Sequence, residues 1–215
     1  MKTQAITSMK EEVLSLGRMV SRMVTELSRL LAADPCASFA LVEQQEDEIN
    51  RACLRIEEKC LDVLNERQDL NPQEIRTLVG STLMAAKFER LADHAHRVAK
   101  LVTWASASNI AVPSELFEMA SVIKGMIEEL LLCFLSDAVD RVGSIIQTDS
   151  HVNYLHDVLS KKLLSHLGEQ DQEEAQMRTQ FLFCARYLER MGDCCTSICK
   201  RIHFIVTGKR LSAES

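Results

Sequence analysis

Apolar positions along this chain recur at helical spacing over long stretches. One segment carries Val42, Ile49, Cys53, Ile56, Cys60 and Val63 at steps of three, four or seven; another carries Ile145, Val152, Leu155, Leu159 and Leu163. Such steps put the apolar side chains on one face of a helix. Start and stop signals divide the pattern. Asp34-Pro35 reads as an N-cap with proline at the first helical position. Asn71-Pro72-Gln73-Glu74 is fuller, with an Asn cap and Glu at the third helical position, and Val112-Pro113-Ser114 opens a further helix after the Ser/Ala/Asn stretch Ala105–Ala111. Ser136-Asp137 reads as a softer cap, and Gly168 precedes the acidic, glutamine-rich loop Glu169–Glu174. The pattern predicts six helical segments, about 5–33, 35–68, 72–106, 113–135, 137–167 and 172–207. Each is far longer than an average helix, as bundle helices are.

Composition narrows the alternatives. The 215 residues include only seven glycines and three prolines, where an average chain of this length carries roughly 25 of the two together. Sandwiches, barrels and α/β folds need more turns than so few breakers supply. An all-α fold remains, and 47% hydrophobic residues are enough for a sizeable core. The 25 basic and 31 acidic residues give a net charge of −6 with both signs spread along the chain. That argues against nucleic acid or an anionic membrane as the main partner. The opening MKTQAITSMKEEV reaches two glutamates with no apolar stretch behind it, so it reads as no signal peptide. The longest stretch without Asp, Glu, Lys or Arg, Leu101–Ser114, is too short to span a bilayer. These features predict a soluble, cytoplasmic chain without direct membrane insertion. Cys53, Cys60, Cys133, Cys184 and Cys199 sit inside helical patterns and read as small buried thiols. Met9, Met19 and Met23, near helical spacing, read as core or interface fillers.

The chain also repeats itself. Residues 87–100, KFERLADHAHRVAK, align without a gap on residues 187–200, YLERMGDCCTSICK. Glu89/Glu189, Arg90/Arg190, Asp93/Asp193 and Lys100/Lys200 are identical. Upstream, Glu46, Ile49 and Asn50 match Asp149, Val152 and Asn153 in order. The expectation is two tandem pseudo-symmetric three-helix bundles, residues 1–109 and 110–215.

On a helical wheel Phe88, Leu91, Ala92, Ala95, Val98, Ala99 and Val102 form one apolar face, and Leu188, Met191, Gly192, Cys195, Ile198, Cys199 and Ile202 its counterpart. Glu89 and Asp93, like Glu189 and Asp193, fall opposite, as neighbours four residues apart. The small Ala92 or Gly192 beside them permits close helix packing. The bland reading is a solvated face with local ion pairs such as Arg97–Asp93, Arg186–Glu189 and Arg190–Asp193. The sharper reading is a carboxylate site for a hard cation, completed by Glu46 or Asp149 from a neighbouring helix. A di-iron site finds little support, because Asp93-x-x-His96 has no second copy, Thr196 standing where a histidine would be. Cys194, Cys195 and Cys199 lack zinc-site spacing. No nucleophile–base arrangement or glycine-rich phosphate loop is present, so no enzymatic activity is expected.

The stretch FLFCARYLERMGDCCTSICKRI (181–202) resembles the last helix of the PhoU family, whose fingerprint there is ERxGD. FERLADHAHRVAK (88–100) resembles its first-repeat counterpart. NERQDLNPQEIRTLV (65–79) is similar to the family's loop into the third helix, and Glu46–Asn50 and Asp149–Asn153 to its acid-x-x-aliphatic-polar motif. The resemblance covers nearly the whole chain, twice. It implies two pseudo-symmetric three-helix bundles and a cytoplasmic, non-enzymatic negative regulator of the phosphate-starvation response, usually dimeric. It implies a connection between the ATPase subunit of the phosphate ABC transporter and the phosphate-sensing histidine kinase. It also implies metal positions, for iron, zinc or another divalent cation, at Glu89 and Asp93 and at Glu189 and Asp193. Ala92 departs from the family's usual glycine, Cys194 from a residue that is often histidine, and Asn50 and Asn153 from the Asp of some members. Arg90, Arg97, Arg186 and Arg190 are the candidate partner-docking residues. The alternatives to a phosphate regulatory adaptor are a metal-binding bundle and a generic helical scaffold.

Overall fold

Each apolar stripe folds as one long helix. The computed structural model describes residues 2–107, 110–165 and 172–211. Among them are α1 (Lys2–Leu31), α2 (Phe39–Glu66), α3 (Pro72–Ala107), α4 (Ser114–Ser136), α5 (Val142–Leu164) and α6 (Gln172–Thr207), with no strand. The cap expected at the start of α3 is there in full. The amides of Gln73 and Glu74 donate to Asn71 Oδ1 at 2.9 and 3.0 Å, and the Asn71 amide donates to Glu74 Oε2 at 2.8 Å. Three of the donors left over at a helix start are thus satisfied locally.

Two boundaries differ from the sequence expectation. Asp34-Pro35 does not open α2. Asp34 Oδ1 accepts from the Cys36 amide at 2.8 Å, and Oδ2 accepts from Arg29 Nε at 2.8 Å. Turned back in this way, Asp34 closes a turn, and the helix waits until Phe39. Likewise Ser136-Asp137 ends α4 instead of starting α5. Asp137 adopts a left-handed φ of 54° and the Ala138 amide bonds back to the Cys133 carbonyl at 3.1 Å, an ending that satisfies a terminal carbonyl. Lys10 of α1 holds the Asp137 carboxylate at 2.7 Å, and α5 begins only at Val142. The boundary expected between residues 109 and 110 adjoins residues 108–109, which lie outside the described residues, as do Gly168 and residues 169–171 of the expected loop; Gln172–Glu174, expected in the same loop, form the first turn of α6.

Four helices close a ring, α1 on α3, α3 on α6, α6 on α4 and α4 on α1. Helix α2 leans on α1 and α3, and α5 on α4 and α6. The two three-helix units therefore share one continuous core. Every residue assigned to the apolar faces of α3 and α6 is buried, from Phe88 to Val102 and from Leu188 to Ile202. Met9 and Met23 are wholly inside, and Met19 packs against the core from its edge. At the α1–α4 crossing Gly17 leaves no room for a side chain. A Cβ there would run into Leu131 and approach Phe88 Cζ to 3.1 Å. All eight cysteines are free, and only Cys36 is exposed. Among the described residues no helix is long and apolar enough to cross a membrane.

Candidate functional site

The duplicated polar face of each repeat emerges on α3 or α6, and in the second repeat a residue of α5 approaches it. In the second repeat Asp149 of α5 is buried, with 7% exposure, against Gly192 of α6. A Cβ at residue 192 would overlap Asp149 Oδ1. Burial above all, then the negative charges of Asp193 and Glu189, push the Asp149 carboxyl up to about 6. Asn153 and Lys200 pull the other way. The first repeat solves the same position differently. Ala92 is fully buried, and the longer Glu46 is half-buried and accepts from Asn50 Nδ2 at 2.7 Å. Asp93 accepts from Arg97 Nε at 3.2 Å, and Glu89 is exposed.

The six acidic candidates thus behave unequally. Asp149, Glu189 and Asp193 come close enough to act on one another, whereas Glu46 and Asp93 are each engaged on their own helix. Asp149 Oδ1 and Glu189 Oε2 are buried without a hydrogen-bond partner, which is what a cation would relieve. Yet among the described residues no three His, Cys, Asp or Glu side chains gather as a metal-binding group. A hard divalent cation takes about six or more oxygen ligands, some of them water, and the described residues by themselves supply no complete set.

The four arginines also divide. Arg97 is spent on Asp93, and its guanidinium lies 5.8 Å from the Tyr187 ring centroid. Arg186 Nη1 sits 2.7 Å from Glu189 Oε1. Arg90 and Arg190 have no ion-pair partner among the described residues. One from each repeat, they line a single cleft of about 320 Å³ on the α3–α6 seam.

Comparison with known proteins decides the family. The profile of the PhoU domain matches the chain twice, over residues 13–102 and 116–202. The chain belongs to the PhoU family. Its two PhoU matches run from α1 to α3 and from α4 to α6, the two halves of the repeat. A phosphate-specific transport system accessory protein PhoU homolog of Clostridium acetobutylicum is 24% identical over 207 residues, covering 96% of this chain and 94% of that protein. One from Rhizobium meliloti is 27% identical over 201 residues, covering 93% and 84%. The Escherichia coli K12 accessory protein PhoU is 22% identical over 205 residues, covering 95% and 84%. Among solved structures, the phosphate transport system regulatory protein PhoU of Streptococcus pneumoniae superposes with a TM-score of 0.88 at 23% identity, covering 99% of this chain and all of that one. PhoU of Pseudomonas aeruginosa superposes at 0.90 with 21% identity, covering 97% and 100%. These two likenesses show that the fold is that of PhoU.

Within this PhoU fold three further residues stand at the seam that the sequence reading assigned to no site. His94 is buried with neither ring nitrogen hydrogen-bonded, and it stacks on Tyr187 with centroids 5.6 Å apart. Burial chiefly holds its pKa down; Asp93 opposes this, and the positive fields of Arg90, Arg190 and Arg97 add to it. Lys87 and Lys200 join Arg90 and Arg190 in the seam cleft. Lys87 had one available signal, since its aligned partner in the second repeat is Tyr187, a break in the charge pattern of the duplicated motif.

Proposed function

We propose that this chain is a regulatory adaptor of phosphate uptake and phosphate-starvation signalling. It acts as a cytoplasmic, non-enzymatic negative regulator that couples the ATPase subunit of the phosphate ABC transporter to the phosphate-sensing histidine kinase. The observation that carries the reading is the double PhoU match over both halves of one shared core, together with relatives named as phosphate-specific transport accessory proteins. Physically, the protein offers long, rigid helices whose polar faces remain exposed. We assign residues 1–109 and 110–215 as the two repeat units and a homodimer as the working form. Arg90, Arg97, Arg186 and Arg190 are the proposed docking residues, because arginine forks recognise carboxylates on a partner with directional hydrogen bonds.

Affinity purification from cells grown at high and at low phosphate tests this. Copurification of the transporter ATPase or the kinase, weakened when Arg186 and Arg97 are changed to Gln, supports the reading. Absence of both partners under both conditions counts against it.

A further inference from the structure

Lys87 and Arg90 of α3 face Arg190 and Lys200 of α6 across a cleft of about 320 Å³, and Asp193 is the one carboxylate on its wall. That volume lies at the small end of ligand clefts, which begin near ~300 Å³. None of the four cations has an ion-pair partner among the described residues. In a chain of net charge −6 this is a local excess of positive charge, four cations around one carboxylate, and like charges gathered in such excess repel. Acidic side chains are near at hand but engaged elsewhere, Asp93 with Arg97 and Glu189 with Arg186.

Duplication offers the same seam twice, and the two sides are lined differently. At the aligned positions of the other side stand Tyr187 for Lys87, His94 for Cys194 and Arg97 for Ser197. There His94 stacks on Tyr187, Arg97 lies over the same ring, and Arg97 holds Asp93. Bulk and an internal ion pair fill that side. On the Lys87 side the smaller Thr196 and Ser197 border the cleft, both hydroxyls donating to the Asp193 carbonyl at 2.9 Å.

We propose that this cleft binds hydrogenphosphate. Arg90 and Arg190, one from each repeat, would grip its oxygens with paired N–H donors, and Lys87 and Lys200 would supply further charge. The Asp193 carboxylate selects among oxyanions. Hydrogenphosphate carries a proton that Asp193 can accept in a hydrogen bond, whereas sulfate carries none at neutral pH and would meet the carboxylate as a bare like charge. A site built around a particular hydrogen bond rejects the analogue that lacks it. A phosphomonoester dianion lacks that proton too, so the assignment is to free phosphate. The proposal does not rest on the adaptor role: it concerns the purified protein, and either idea can fail without the other.

The test is calorimetric titration of the full chain with inorganic phosphate, sulfate and glycerol phosphate, at low ionic strength, near neutral pH and without phosphate buffer. One phosphate per chain is expected, bound more tightly than the other two anions. The R90Q/R190Q double variant should bind at least about tenfold more weakly, the loss expected when charged hydrogen-bond donors are removed. D193N should narrow the preference for phosphate over sulfate. K100Q, the aligned lysine on the filled side, should bind as the parent does, and circular dichroism checks that each variant is folded. Absence of phosphate binding up to millimolar concentration, unchanged binding by folded R90Q/R190Q, or sulfate bound as well as phosphate would overturn the proposal.

Discussion

The Asp149 carboxylate of α5 occupies the space that a side chain at Gly192 of α6 would need. This relationship gives the glycine of the second copy a local role, where the first copy carries alanine. Where the buried Asp149 stands against α6, a Cβ at residue 192 would force its carboxylate to shift; in the first repeat Glu46 is held by Asn50 on its own helix, and Ala92 is fully buried.

Gly192→Ala should therefore destabilise the protein, although alanine is the better helix former. An overpacking cost of about 2 kcal/mol against a helix-propensity gain of about 1 leaves a net loss of about 1 kcal/mol. Chemical denaturation measures it. In an Asp149→Ala background the same change should become stabilising, and equal effects in the two backgrounds would show that the two residues are not coupled.

Asp149 should also set a pH dependence. Its carboxyl is raised from 3.8 to about 6, so the folded state holds the proton more tightly than the unfolded state does. The stability that this contributes is full below pH 3.8 and is lost as pH rises through about 6. Above that, the ionised group costs on the order of 2–3 kcal/mol. Asp149→Asn, neutral throughout, should be more stable than the parent well above pH 6, with an advantage that shrinks toward pH 4. Denaturation curves across that range check the sign.

Thiol labelling should find one fast cysteine. Cys36 is exposed, while the other seven are buried, and burial pushes Cys53, Cys184 and Cys199 up to about 12. Because the thiolate is the reactive form, mass spectrometry after brief exposure to an aromatic disulfide should show a single adduct, lost in Cys36→Ser.

Much of this was legible in the chain. The stripes of α3 and α6 gave both faces correctly, because seven positions at helical spacing leave no other surface to bury. The starts of α2 and α5 were not. Asp34 and Asp137 have side chains that cap equally well in a turn, and what decided between the two was a partner on α1, Arg29 for the first and Lys10 for the second. In the site, the paired carboxylates could be read from spacing. Which arginines would be left unpaired could not, because Arg90 and Arg97 look alike until Tyr187 arrives from the other repeat.

The acidic face should hold no resident metal. Among the described residues no three ligand side chains gather, so elemental analysis of protein purified without chelator should give far less than one iron or zinc per chain. A stoichiometric metal, retained by the parent and lost in Asp149→Asn, would revive the metal-binding reading.

The regulatory role is tested most directly by deleting the gene in its host and measuring phosphate-starvation gene expression in high phosphate. The account predicts derepression, reversed when the intact chain is supplied from a plasmid. Continued repression in the deletion strain would contradict it.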